Sequence, residues 1–127
     1  MKRLGVILFL AFLAGCRSET GTGITGKWLM YKVIQDGEDV TSGHNPYNER
    51  FLILRKDGTF ESGGRPSGAN TGRYEYNSVD QTLFLDSDAG PEDDSRWKVR
   101  IQGDTMHWQG YGTEWAEAFE LIQIKDR

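Results

Sequence analysis

Few side chains in this sequence are of a type that does chemistry, and their spacing narrows what they can do. There is one thiol, Cys16. It has no second cysteine to pair with, so no disulfide forms within the chain. The two histidines, His44 and His107, have no cysteine or carboxylate at ligand spacing. His44 lies in a Gly/Asn/Pro-containing loop, and His107 points outward between inward Met106 and Trp108, so no metal site is expected. Asp86-Ser87-Asp88-Ala89-Gly90, followed by Glu92-Asp93-Asp94, offers oxygen ligands suited to Ca²⁺. It lacks the pattern and spacing of an EF-hand and reads as a solvated acidic loop. No nucleophile elbow or phosphate-binding loop occurs, and the Ser, Asp and Glu residues assemble into no recognisable acid–base pair. The expectation is therefore a protein that is not an enzyme and takes no cofactor.

What remains is binding. Aromatic residues make up 12% of the chain, and five of them, Tyr74, Tyr76, Trp97, Trp108 and Phe119, fall on inward positions of alternating segments. Such side chains line an apolar cavity, with tyrosine hydroxyls to orient a ligand. The same five would equally fill a small core, and the alternation does not choose between the two. Tyr76 and Gln81 form an expected polar pair beside a loop.

The elements that must hold these residues read as strands. The chain is rich in Trp, Tyr, Phe and Gly, which favour strands and turns. A first strand spans residues 28–35. Its alternation is poor, as for a strand covered on both sides at one end. Residues 38–49 form a long loop with room for a short helix or strand. Residues 51–55 and 59–62 form a hairpin around Lys56-Asp57-Gly58. The three-residue loop pairs Leu54 with Phe60 and Leu52 with Ser62, putting apolar residues on one face and Gly58 in a left-handed bulge. Phe51 and Ile53 then face outward, where the 38–49 loop is expected to cover them. A Gly/Ser/Asn loop around Pro66 follows. Residues 72–76 and 81–85 make the next hairpin, with Tyr74 opposite Leu83 and Tyr76 opposite Gln81. Residues 96–102 alternate strictly, turn at Gly103-Asp104, and pair Ile101 with Met106, Val99 with Trp108 and Trp97 with Gly110. A last strand spans 116–124, with Phe119 and Leu121 inward. No segment after the leader has a helical period.

The N-terminus is different. Met1-Lys2-Arg3 is basic, and residues 4–13 are apolar for about ten residues, too short for an ordinary membrane-spanning helix. The run ends in Leu13-Ala14-Gly15-Cys16. This resembles the bacterial lipoprotein signal, in which the cysteine becomes the first mature residue and carries the lipid. The resemblance implies several acyl chains on Cys16 and hence a stable membrane anchor. Residues 1–15 are then a removable signal, 16–25 the lipidated cysteine with a polar Gly/Ser/Thr-rich tether, and 26–127 the folded domain. Arg17 is not the Asp that, in the family pattern of some Gram-negative bacteria, retains lipoproteins in the inner membrane, which points to the outer membrane of a cell envelope.

About eight strands joined mostly by hairpins must close or cover their edges, and an up-and-down β-barrel closes. Gly26-x-Trp28, Lys56-Asp57-Gly58-Thr59-Phe60, Gly72-x-Tyr74 and a basic residue just after the last strand resemble small bacterial lipocalin-like lipoproteins of the calycin group. The resemblance covers roughly residues 24–125. It implies an all-β, lipocalin-like barrel with Trp28 across the closed end and Lys125 or Arg127 packed on its ring, a cation–π contact. It also implies a small apolar or amphipathic ligand. Gly23-Ile24-Thr25-Gly26-x-Trp28 and Thr71-Gly72-Arg73-Tyr74 are similar to avidin-type biotin binders as well. There an Asn two residues after the Trp contacts the biotin ureido group; here Met30 stands instead, so biotin is not expected.

Charge closes some options. Loss of residues 1–15 removes two of fifteen basic residues against nineteen acids and leaves a formal charge of −6. With no basic stripe to neutralise phosphates, a nucleic-acid partner is not expected. Two functions stay open. One is a carrier that takes its ligand at an open end bordered by 37–48 and 63–71. The other is a structural or partner-binding envelope protein with a filled barrel, its partner unidentified.

Overall fold

The computed structural model describes residues 23–127. The expected signal, Cys16 and most of the tether lie outside the described residues. In chain order the elements are β1 (Gly26–Gln35), β2 (Glu38–Asp39), the helical turn α1 (Thr41–His44), β3 (Phe51–Leu54), β4 (Thr59–Gly63), β5 (Asn70–Asn77) and β6 (Thr82–Ser87). A 3₁₀ turn (Pro91–Asp93), β7 (Ser95–Gln102), β8 (Thr105–Tyr111), the helical turn α2 (Glu114–Glu117) and β9 (Phe119–Lys125) complete the chain. Each strand from β3 to β9 pairs antiparallel with the next, β3 pairs with β1, and β9 returns to β1. The stub β2 pairs only with the end of β1. The result is a closed, eight-stranded, antiparallel up-and-down barrel, and closure leaves no edge among the eight.

The irregular alternation of β1 has a cause other than two-sided cover. Its pairing with β9 runs from Trp28 opposite Lys125 to Met30 opposite Gln123, then resumes with Lys32 opposite Ile122. Tyr31 is the extra residue of a β-bulge, which flips the inward parity of the strand. Trp28 and Met30 point in before it, and Val33 points in after it.

The hairpin at Lys56-Asp57-Gly58 keeps the expected register, Leu54 opposite Phe60 and Leu52 opposite Ser62, with Gly58 at φ 87°. The β7–β8 hairpin does too. The β5–β6 hairpin is shifted by two residues. Tyr74 faces Leu85 and Tyr76 faces Leu83, not Gln81. The Asn77 side-chain oxygen accepts from the Val79 and Asp80 N–H groups, so the turn starts after Asn77, and Gln81 takes a left-handed conformation (φ 58°) inside it. An even shift preserves which side chains point inward. The last strand is also shorter than expected. Residues 114–117 form α2, whose start is capped by the Thr113 hydroxyl accepting from Ala116 N–H at 3.2 Å, and β9 starts at Phe119.

Connections 36–50, 64–69, 88–94 and 112–118 gather at one end of the barrel. The turns at 55–58, 78–81 and 103–104 and both ends of the described chain gather at the other. That second end is sealed by Trp28, 1% exposed. Its indole N–H donates to Ile24 O at 2.9 Å. The Lys125 ammonium stands 4.7 Å from the ring centroid and donates to Thr25 O at 2.9 Å. Arg127 does not share this role; it pairs with Asp104. Gly26 makes the arrangement possible. It adopts φ 128°, and a Cβ there would lie 2.8 Å from Lys125 Cε. Packing also begins earlier than residue 26, because Ile24, inside the expected tether, is fully buried.

Candidate functional site

The barrel is filled at one end and open at the other. Ile24, Trp28, Leu54, Tyr74, Tyr76, Leu83, Val99 and Met106 form one buried cluster together with Leu52, Phe60, Trp97 and Trp108, and only the last four of these also line a pocket at the mouth. At the mouth lies a pocket of about 180 Å³ whose lining includes Leu52, Phe60, Trp97, Trp108, Leu121 and Arg50. The choice between a cavity and a filled core therefore divides along the barrel axis, and the five candidate aromatics divide with it.

Trp97 and Trp108 line the pocket, as cross-strand neighbours with ring centroids 5.2 Å apart. Tyr74 and Tyr76 do not line it. The Tyr74 hydroxyl donates to Arg55 O at 2.7 Å and its N–H donates to Gly58 O at 2.8 Å, which binds the β3–β4 turn to β5. Burial raises the phenol pKa of both tyrosines, so both stay neutral at physiological pH. Phe119 stands at the rim, edge-on to His44 at 5.7 Å and to Trp115 at 6.4 Å.

The two pocket tryptophans differ in one respect. The Trp97 indole N–H donates to Ser95 Oγ at 2.8 Å. Trp108 is 3% exposed, and its indole N–H, fully buried, has no hydrogen-bond partner among the described residues. An unmet buried donor costs about 1–3 kcal/mol, and such groups are rare enough in folded proteins to call for an explanation.

Arg50 was not singled out by the sequence. It precedes β3 at the mouth and is held by its backbone. Asn45, itself buried, accepts from Glu49 N–H and Arg50 N–H through Oδ1 and donates to Met30 O through Nδ2. Arg50 O in turn accepts from Met30 N–H at 3.0 Å, at the bulge. Gly64, at φ 101°, lies so close above this segment that a Cβ would collide with Glu49 O and Arg50 Cα. The guanidinium is partly buried and makes one long hydrogen bond, to His44 O at 3.4 Å. It has no carboxylate within ion-pair distance among the described residues. Desolvation lowers its pKa, yet an arginine stays charged at neutral pH. The neighbouring Glu49 is turned elsewhere, to Arg65 Nε and Nη2 at 2.9 and 2.7 Å. That hydrogen-bonded arginine holds the Glu49 carboxyl below its ordinary pKa.

The remaining polar lining is Ser62, Asn70, Ser87, Asp93, Ser95 and Gln123. These had a signal in the sequence. Ser62, Ser95 and Gln123 occupy inward positions of strands whose other inward residues are apolar, and Ser62 and Ser95 lie at mouth ends. Arg50 and Trp115 had none, because Arg50 sits in a loop and Trp115 in the single turn α2, neither long enough in regular structure to record a period.

Of the other candidates, His107 lies apart from the pocket, while Phe51 and, from the acidic loop, Ser87 and Asp93 belong to its lining. His107 Nε2 meets Glu120 Oε1 at 3.1 Å across β8 and β9. The acidic loop is closed by its own carboxylates: Asp94 accepts from Ser87 N–H, Asp88 from the Thr71 hydroxyl and Asp93 from Asn70 Nδ2. Phe51 and Ile53 face outward and are half-buried. The ring of Phe51 is covered by the Lys27 ammonium at 5.2 Å, where the 38–49 loop was expected.

No known family model matches the sequence, and no curated protein matches it. Among solved structures, the chain is similar to a DUF4847 family protein from Bacteroides vulgatus ATCC 8482. The TM-score is 0.60 at 12% identity, over 83% of this chain and 95% of that one. At that identity the likeness concerns the fold.

Proposed function

We propose that this chain is a lipid-anchored, lipocalin-like envelope protein, not an enzyme, whose barrel receives a small apolar or amphipathic ligand at its open end. The observation that carries the reading is the mouth pocket of about 180 Å³, whose lining sets Trp108 and the cation Arg50 at the open end. The neighbouring Trp97, Leu121 and Phe60 supply the apolar wall.

The direction of the barrel suits an anchor on Cys16. The described chain starts at the sealed end, beside Trp28 and Lys125. The seven Cα-to-Cα steps from Cys16 to Gly23 span at most about 25 Å. A lipid on Cys16 then sets the sealed end toward the bilayer and the mouth away from it, where a soluble ligand or a partner reaches it.

Native mass spectrometry of the full chain purified from cells, with Trp fluorescence during titration by alkyl and single-ring probes, tests the reading. A co-purifying mass, or a saturable one-to-one fluorescence change, supports it. A folded chain with neither refutes it. That outcome favours a partner-binding protein working through its outer face, where Leu29 and Tyr31 are 40% and 54% exposed.

A further inference from the structure

Charge and size at the mouth narrow the ligand, and this step rests on the pocket reading above. Arg50 is the one cation among the residues that line the pocket. It is partly desolvated, its backbone is clamped by Asn45 and crowded by Gly64, and its guanidinium lacks a carboxylate among the described residues. The one acid of the lining, Asp93, is exposed at the opposite connection and accepts from Asn70. A cation moved part-way out of water with no counter-charge is costly unless something else meets it. A guanidinium presents a planar fork of donors that matches a carboxylate with two parallel hydrogen bonds. A single arginine balances a monoanion and leaves a phosphate dianion half-compensated. The apolar part is limited by the pocket volume of about 180 Å³. An engineered apolar cavity of about 150 Å³ takes a benzene molecule. The space therefore suits one ring or a short branched chain, and a long alkyl tail would extend past the mouth.

We propose that the mouth pocket is a site for a compact monocarboxylate, with the carboxylate on the Arg50 guanidinium and a body of about one ring against Trp97, Trp108 and Leu121. Trp115, backed by Phe119, narrows the opening around it.

Phenylacetate and its neutral isostere phenylacetamide are the probes, titrated into the full chain and read by calorimetry and Trp fluorescence. Wild type is expected to bind the acid about tenfold or more tighter than the amide, the lower end for a charge-assisted pair in a half-open site. Arg50→Gln is expected to bring the two to equal affinity, and Arg50→Lys to restore part of the preference. Leu121→Trp, which fills the pocket from β9 and leaves the charge in place, is expected to abolish binding of both. Thermal unfolding of each variant establishes that it is folded. Equal binding of acid and amide by wild type overturns the carboxylate site and leaves the pocket reading standing. A preference that survives in folded Arg50→Gln overturns the role of Arg50. Binding of neither probe, with no response to alkyl probes, overturns the pocket reading and this inference together.

Discussion

Trp97→Phe and Trp108→Phe delete the same atoms from neighbouring, buried side chains, yet the structure gives them different costs. The rings touch, with centroids 5.2 Å apart, and each is at most 5% exposed, so the packing lost is similar. The hydrogen-bond consequences are opposite. Trp97→Phe removes a bond to Ser95 Oγ, worth about 1 kcal/mol net. Trp108→Phe removes a donor that is buried without a partner among the described residues, relieving about 1–3 kcal/mol. The Trp97 variant should therefore be less stable than the Trp108 variant by about 2–4 kcal/mol. For a domain of this size that is a Tm difference of about 8 °C or more. Urea and thermal unfolding of the ligand-free full chain, followed by near-ultraviolet circular dichroism, measures it, provided the two urea slopes agree. Equal destabilisation of the two variants would refute the reasoning, since it would mean that the Trp108 N–H is satisfied in the free protein.

Gly26→Ala should destabilise the barrel by about 1–3 kcal/mol, because φ 128° strains an alanine and its Cβ pushes Lys125 off Trp28; an unchanged urea midpoint would contradict the plug geometry. Asp39 has its pKa lowered to about 2, by the Thr41 side-chain and backbone hydrogen bonds and then by Lys32. A carboxylate whose folded pKa is depressed adds stability above its unfolded value and loses it as pH falls toward the folded one. The Tm should thus decline as pH falls from about 4 to 2, with a shallower decline in Asp39→Asn; matching profiles would exclude the contribution. If Cys16 carries the lipid, Cys16→Ala should move the protein from the membrane fraction to the soluble fraction, and an unchanged partition would refute the anchor.

The hairpins were the most legible part of the chain. At Lys56-Asp57-Gly58 and Gly103-Asp104 the turn residues and the alternation of the flanking strands agree on one register, and both registers hold. The β5–β6 register was legible only to within two residues. Ser78 to Gln81 lacks a Gly to mark the left-handed position, and Gln81 occupies it. The bulge at Tyr31 was not legible either. A bulge is imposed by pairing with β9, about ninety positions downstream, and locally it looks like poor alternation. Of the site, the sequence supplied Trp97 and Trp108 through strict alternation, and left open whether Tyr74 and Tyr76 line a cavity or fill the core. Alternation says that a residue points inward, while depth along the barrel axis depends on strand stagger.

The sequence by itself determined the all-β class, the closed meander and, outside the bulged β1, the residues that face inward, because these follow from period-two alternation and turn chemistry, which are local. The proposed leader and lipid on Cys16 rest likewise on linear signals. Only the tertiary structure decided that Lys125 and not Arg127 covers Trp28, that the barrel is filled at one end and open at the other, and that Trp108 has an unpartnered N–H where Trp97 has Ser95. It alone placed Arg50 at the mouth without a counter-charge. These are properties of distance and burial between residues far apart in the chain, set by strand stagger and by loops that carry no period.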